Sequence, residues 1–288
     1  MGEIAASVTN RLQQALYEAE QKRVASLPRE GANAMELVLH AGALRKQEPS
    51  PKGRLAARKL YEEALRHDPA SVPAMLGIMG TIGDELEHDP RADRERLLKE
   101  MDDLSLRAVQ ADRNDPRVWS FRTYALEFQE RWDAALQASA EGMRIDPYRF
   151  ATLGSRAWLL IFTGHADEAL PVLDRAIALD PQSALAWFIS AKCAAHSSLG
   201  HYDDTIADCE KFLALEEDWY GHVHLVGAYA QKGDMAKAAA EKAAALKLDP
   251  NLSIARLKAF PLWRNPVFLQ QLEAHLFAGL RKAGIPEQ

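Results

Sequence analysis

The chain has 288 residues, 48% of them hydrophobic, enough to bury a continuous core. Its 35 basic and 41 acidic side chains give a net charge of −6 with the signs interspersed, which argues against a nucleic-acid surface built as a basic stripe. Two cysteines are too few for a disulfide framework, no apolar run reaches the roughly 20 residues that span a bilayer, and the first residues lack the pattern of a signal peptide. These features predict a cytoplasmic protein with no membrane segment, in which Cys193 and Cys209 are buried free thiols on opposite helices of one hairpin.

From its start the chain reads as helix after helix. Residues 1–32 form a lead-in helix with a stripe of Ile4, Val8, Leu12, Ala15 and Leu16, closed by Pro28. A second helix runs from about Ala34 to Lys46. Ser50-Pro51 then supplies an N-cap and a first-turn proline for a helix ending at Asp68-Pro69. Residues 71–112 form an elongated hairpin with about ten extra residues at its turn, Gly83 to Arg94, whose acidic stretch at 84–89 reads as charged and flexible. β-branched runs are scarce, so no sheet is expected.

Beyond Pro116 the sequence repeats. Acidic marks fall at Asp146-Pro147, Asp180-Pro181, Glu216-Glu217 and Asp249-Pro250, in steps of 34, 36 and 33 residues. Sixteen residues before each mark stand Glu130, Gly164, Gly200 and Gly233, which predict turns between paired helices. Five residues after each turn come Ala135, Ala169, Thr205 and Ala238, small side chains where two helices must approach closely. Such a period marks helical hairpins that cannot bury their apolar faces alone. The repeats fill 33–250, and residues 251–288 form a C-terminal cap. There a short helix from Ser253 to Ala259, a break at Phe260 to Trp263 and a helix from Asn265-Pro266 to Gly284 place Phe260, Leu262, Trp263 and Phe268 over the last repeat.

The pattern resembles the tetratricopeptide repeat, through Trp119, Ala135 and Pro147; Ala157, Ala169, Ala176 and Pro181; Trp187, Ala191 and Phe212; and Leu225, Tyr229, Ala238 and Ala245. Upstream, Ala57, Tyr61, Ala64 and Pro69 fit a second helix of the same kind. Arg122 and Arg156 depart from it, standing where leucine is usual. The resemblance implies an all-α, right-handed superhelical solenoid of about six hairpins with a capping helix. It also implies a concave groove lined by each first helix, taking a protein or peptide partner or an adjacent domain of a larger parent. Transferring the family's inner-face positions selects Tyr124, Trp158, Phe188 and Tyr220 as a ladder bracketed by Arg117 and Lys192, with internal packing as the competing reading. The family's carboxylate clamp is absent, since Ser120/Tyr124, Gly154/Trp158 and Phe188/Lys192 stand at its positions.

The chain's two ends resemble bacterial proteins that join a class III adenylate/guanylate cyclase domain to such repeats. The closing residues 252–257, 264–266 and 279–287 and the opening Glu3-Ile4-Ala5 carry this likeness. It implies the regulatory part of a signalling protein, with a winged-helix transcription activator as a related architecture. No cyclase metal-binding aspartate can be placed, so no catalysis is expected of this chain alone.

Chemistry is otherwise sparse. His222 and His224 are two residues apart on a helix and diverge. His196 and His201 flank the turn at Gly200 and could hold a metal only with a third ligand, so solvated histidines are the plainer expectation. Asp203-Asp204 reads as an acidic pair favouring a helix N-terminus. No phosphate loop or nucleophile–base set is present, and no cofactor or metal is expected.

Overall fold

The computed structural model describes residues 2–26, 31–89, 91–179 and 185–288; Pro28 and the Asp180-Pro181 mark lie outside them. Every regular element among the described residues is helical. The chain divides into two compact units, Met1–Thr152 and Leu153–Gln288, with the division at the start of the eighth helix.

The first unit opens with α1 (Gly2–Ala25), followed by α2 (Ala34–Gln47), α3 (Pro51–His67), α4 (Val72–His88), α5 (Arg94–Ala111), α6 (Pro116–Phe128) and α7 (Trp132–Ile145). Local signals set the starts. Asn33 and Glu36 form a reciprocal capping box on α2, the Ser50 hydroxyl accepts from the Gly53 amide, and Pro51 and Pro116 occupy first-turn positions where no amide is needed. Ala57, Ala64, Ala108 and Ala135 are fully buried, and their small size lets paired helices close.

Two features of this unit depart from the sequence reading. Val8, Leu12 and Leu16 on α1 are about 60% exposed, while Gln21 and Val24 face inward, so the apolar stripe of the lead-in helix points to solvent. Residues 84–88 are also no flexible loop at a turn. They complete the 17-residue α4, and the turn before the 18-residue α5 is short. Leu86 is buried and Glu87 accepts a hydrogen bond from Tyr124 on α6, which hold the extra turns helical.

The second unit holds most of α8 (Phe150–Phe162), then α9 (Ala166–Leu179), α10 (Leu185–Leu199), α11 (Tyr202–Leu215), α12 (Trp219–Lys232) and α13 (Met235–Leu248). Ala169, Thr205 and Ala238 are fully buried, the counterparts of Ala135. Gly164, Gly200 and Gly233 all adopt positive φ, from 73° to 84°, and Glu130 of the first unit does so at 59° as the one non-glycine among the described residues. Each turn therefore uses a left-handed residue to end the first helix of its pair. Cys193 on α10 and Cys209 on α11 are buried on facing helices, Cα atoms 5.1 Å apart, and are joined as a disulfide, which corrects the expectation of free thiols. Facing positions across a tight hairpin bring the sulfurs together.

The cap consists of α14 (Ile254–Lys258), α15 (Pro266–Leu272), a π-helical turn (Glu273–Phe277) and α16 (Ala278–Lys282). Leu262, Trp263, Phe268, Leu272, Phe277 and Leu280 are buried, so this end of the stack hides its apolar face. Gly279 meets Gly227 of α12 so closely that an added Cβ would collide with the Gly227 carbonyl oxygen. The tail returns to α14, where the Ile254 and Ala255 amides donate to the Pro286 and Glu287 carbonyls.

Candidate functional site

The ladder residues fall on first helices but differ in what they present. In the first unit, Arg117 is exposed at the start of α6 and held by Asp115, 2.5 Å away. Tyr124, one face of α6 later, is partly buried. It packs edge-on against Phe128 and donates its hydroxyl to Glu87 Oε1 at 2.7 Å. In the second unit, Trp158 on α8 and Tyr220 on α12 are partly exposed and meet edge-to-face at 6.4 Å. Trp158 stacks on Phe162, and Tyr220 leans on His224 and Trp263. Phe188 on α10 is fully buried beside Trp187 and offers no surface. Lys192 is half-buried and bonded to Asp174 at 2.8 Å. Both cations of the ladder are thus answered by acids of their own chain, and an incoming acidic group must displace those partners.

Burial shapes the protonation of the groups beneath these faces. The α6 residue Glu127 is 4% exposed, and desolvation, followed by the nearby Glu87, pushes its carboxyl up to about 8. Glu87 is itself raised by burial, against the hydrogen bond from Tyr124. In the second unit, burial depresses His224 to about 3 and raises the Tyr220 phenol. His224 is therefore a neutral ring between aromatic neighbours. His222, two residues earlier, is buried by a different route, its ring nitrogens 2.6 Å from Glu241 and 3.1 Å from Glu217.

The turn between α10 and α11 concentrates other polar groups. His196, in the last turn of α10, is partly buried and His201 precedes α11 exposed; their Nδ1 atoms lie 3.4 Å apart. Asp204, in the first turn of α11, brings a carboxylate to the same point, so that one ligand atom from each of the three lies within 4.8 Å of the others. The third ligand missing from the sequence reading is thus a residue assigned there to the helix dipole. The signal was present, since the residue before a helix and the one three later share its first turn. A shallow depression of about 370 Å³ opens here, lined by Gly200, His201, Tyr202, Asp203, Asp204 and Lys232.

No family model matches the chain. Over 89 residues it is 38% identical to the Hsp70-Hsp90 organizing protein of Triticum aestivum, a match covering 31% of this chain and 15% of that protein. The match thus takes in only a small part of that relative's length. Among solved structures, the chain is similar to the APC/C hetero-tetramer Cut9–Hcn1, with a TM-score of 0.68 at 14% identity over 92% of this chain and 47% of that one. It is also similar to a thermophilic TPR protein of Thermus thermophilus, with a TM-score of 0.55 at 20% identity over 68% of this chain and 98% of that one. These likenesses establish the all-α, tetratricopeptide-type helical repeat. Among the described residues no helix is long and apolar enough to cross a membrane.

Proposed function

We propose that this chain is a non-catalytic protein-interaction module that takes an extended segment or helix of a protein partner against the first helices of its repeats. The observation that carries the reading is the partly exposed Trp158–Tyr220 pair of the second unit, aromatic side chains of the kind that anchor interfaces. Lys192 in that unit supplies a cation within a face of this type, and Arg117 and Tyr124 are the corresponding groups of the first unit. Phe188 supports from within. The similarity to a stretch of a protein named for organizing Hsp70 and Hsp90 agrees with a protein ligand.

Selection of peptides from a random displayed library, followed by fluorescence anisotropy, tests this. The reading expects selected sequences to be enriched in acidic residues and to lose at least tenfold in affinity for Lys192→Glu. Peptides without that enrichment, bound equally by wild type and Lys192→Glu, would remove Lys192 from the site. A finer reading makes the module the regulatory part of a bacterial signalling protein, and it rests on the resemblance of the chain's two ends alone. Sequencing the flanking reading frame tests it, with a catalytic or DNA-binding domain upstream as the expected result and a free-standing frame as the refuting one.

A further inference from the structure

We propose that His196, His201 and Asp204 form a binding site for one divalent transition-metal ion of the zinc, cobalt or nickel class at the turn between α10 and α11. The geometry carries it. Two imidazole nitrogens bound to one tetrahedral zinc at about 2.0–2.1 Å stand about 3.3–3.4 Å apart, and the facing Nδ1 atoms of His196 and His201 are 3.4 Å apart. Asp204 brings a carboxylate to the same cluster, one ligand atom from each of the three residues lying within 4.8 Å of the others. Two imidazoles and a carboxylate suit borderline transition metals better than magnesium or calcium, which prefer an all-oxygen shell.

The surroundings match what a histidine ligand needs. With Nδ1 of His196 toward the metal, its Nε2 faces Asp208 Oδ2 at 3.7 Å. That separation is an ion-pair distance and not a hydrogen bond; a small turn of the ring would let Nε2–H donate to Asp208, which also accepts from Lys211, and so orient the imidazole. Asp208 is buried at the face of α11 against α10, so it holds this position without moving into water. The Cys193–Cys209 disulfide ties the two helices one turn from His196 and next to Asp208, which fixes the spacing of the donors before any ion arrives. His201 and Asp204 are exposed beside the open depression, giving an ion a way in and leaving room for water as a further ligand. Asp203, next in line, is engaged by Lys232 and takes no part.

The test uses the full chain after chelator treatment, titrated with cobalt(II) alone and then with zinc(II). The expected result is one equivalent of cobalt giving visible d–d bands, which zinc displaces. His201→Ala and Asp204→Asn each weaken binding at least tenfold, Asp208→Asn weakens it about tenfold as a positioning residue, and His67→Ala, an exposed histidine elsewhere, leaves it unchanged. Because a variant can lose binding by losing its fold, long-range 15N–1H spectra of the wild-type imidazoles are read as well. Zinc must shift the Nδ1 resonances of His196 and His201 and no others. Absence of cobalt bands at millimolar metal, loss of affinity shared equally by His67→Ala, or zinc shifts confined to other histidines would each overturn the site.

Discussion

Replacing Glu127 by glutamine should remove the pH dependence that this buried acid imposes on the fold. Its carboxyl is 4% exposed, its Oε1 has no hydrogen-bond partner, and the nearest acid, Glu87, adds repulsion, so the folded value stands at about 8 against 4.5 for a free glutamate. The groups around that acid are Tyr124, which donates to Glu87, and Asp84, His88 and Arg45, of which Arg45 is itself bonded to Asp84 at 2.9 Å. A carboxyl whose folded value is raised stabilises the fold fully below 4.5 and loses that contribution as pH rises to 8. At about 1.4 kcal/mol per pH unit, the loss is about 3 kcal/mol by pH 7 and about 5 kcal/mol above pH 8. Urea unfolding of wild type and Glu127→Gln from pH 5 to 9 reads this, because titrating groups that do not couple to Glu127 cancel in the difference, and relief of the neighbouring Glu87 adds in the same direction. The stability of the variant relative to wild type should rise by about 4 kcal/mol between pH 5 and pH 8 and level off above that. A difference that stays flat across that range, or a variant less stable at pH 8, would refute the reasoning.

Three further outcomes follow from the geometry. Glu130→Gly should raise the urea midpoint by about 1 kcal/mol of stability, because the left-handed φ of 59° penalises any residue with a Cβ; an unchanged or lowered midpoint contradicts this. Gly279→Ala should cost about 1–3 kcal/mol by forcing α16 away from the Gly227 carbonyl, read as a lower melting temperature, whereas an unchanged one would mean the cap yields freely. Reducing the Cys193–Cys209 bond, which closes a loop of 16 residues, should remove about 3 kcal/mol, and a melting temperature insensitive to reductant would show that the bond does not form.

The repeat itself was legible because backbone geometry restricts which residues can end its first helices. Gly164, Gly200 and Gly233 mark left-handed turns that most residues avoid, and the fixed offset to Ala169, Thr205 and Ala238 reports the closest helix approach. What periodicity could not supply was the third dimension. The α1 stripe is a sound helical pattern, yet only packing decides which side of a helix is covered, and Val24 wins over Leu12 and Leu16. Phe188 stands at an inner-face position, but α10 is buried on several sides, with Ala191, Cys193 and Ala195 also fully enclosed, so position along the repeat does not report exposure there. The pairing of Cys193 with Cys209 and the meeting of Asp204 with His196 and His201 depend on distances across a turn, which spacing alone does not measure.

The proposed partner-binding face centres on Trp158. Six tryptophans give six indole N–H signals, each assignable by single substitution. On titration with a library-selected peptide, the Trp158 indole signal should shift in a saturable way, together with the ring resonances of Tyr220. A peptide that binds tightly while leaving Trp158 and Tyr220 unmoved would contradict it.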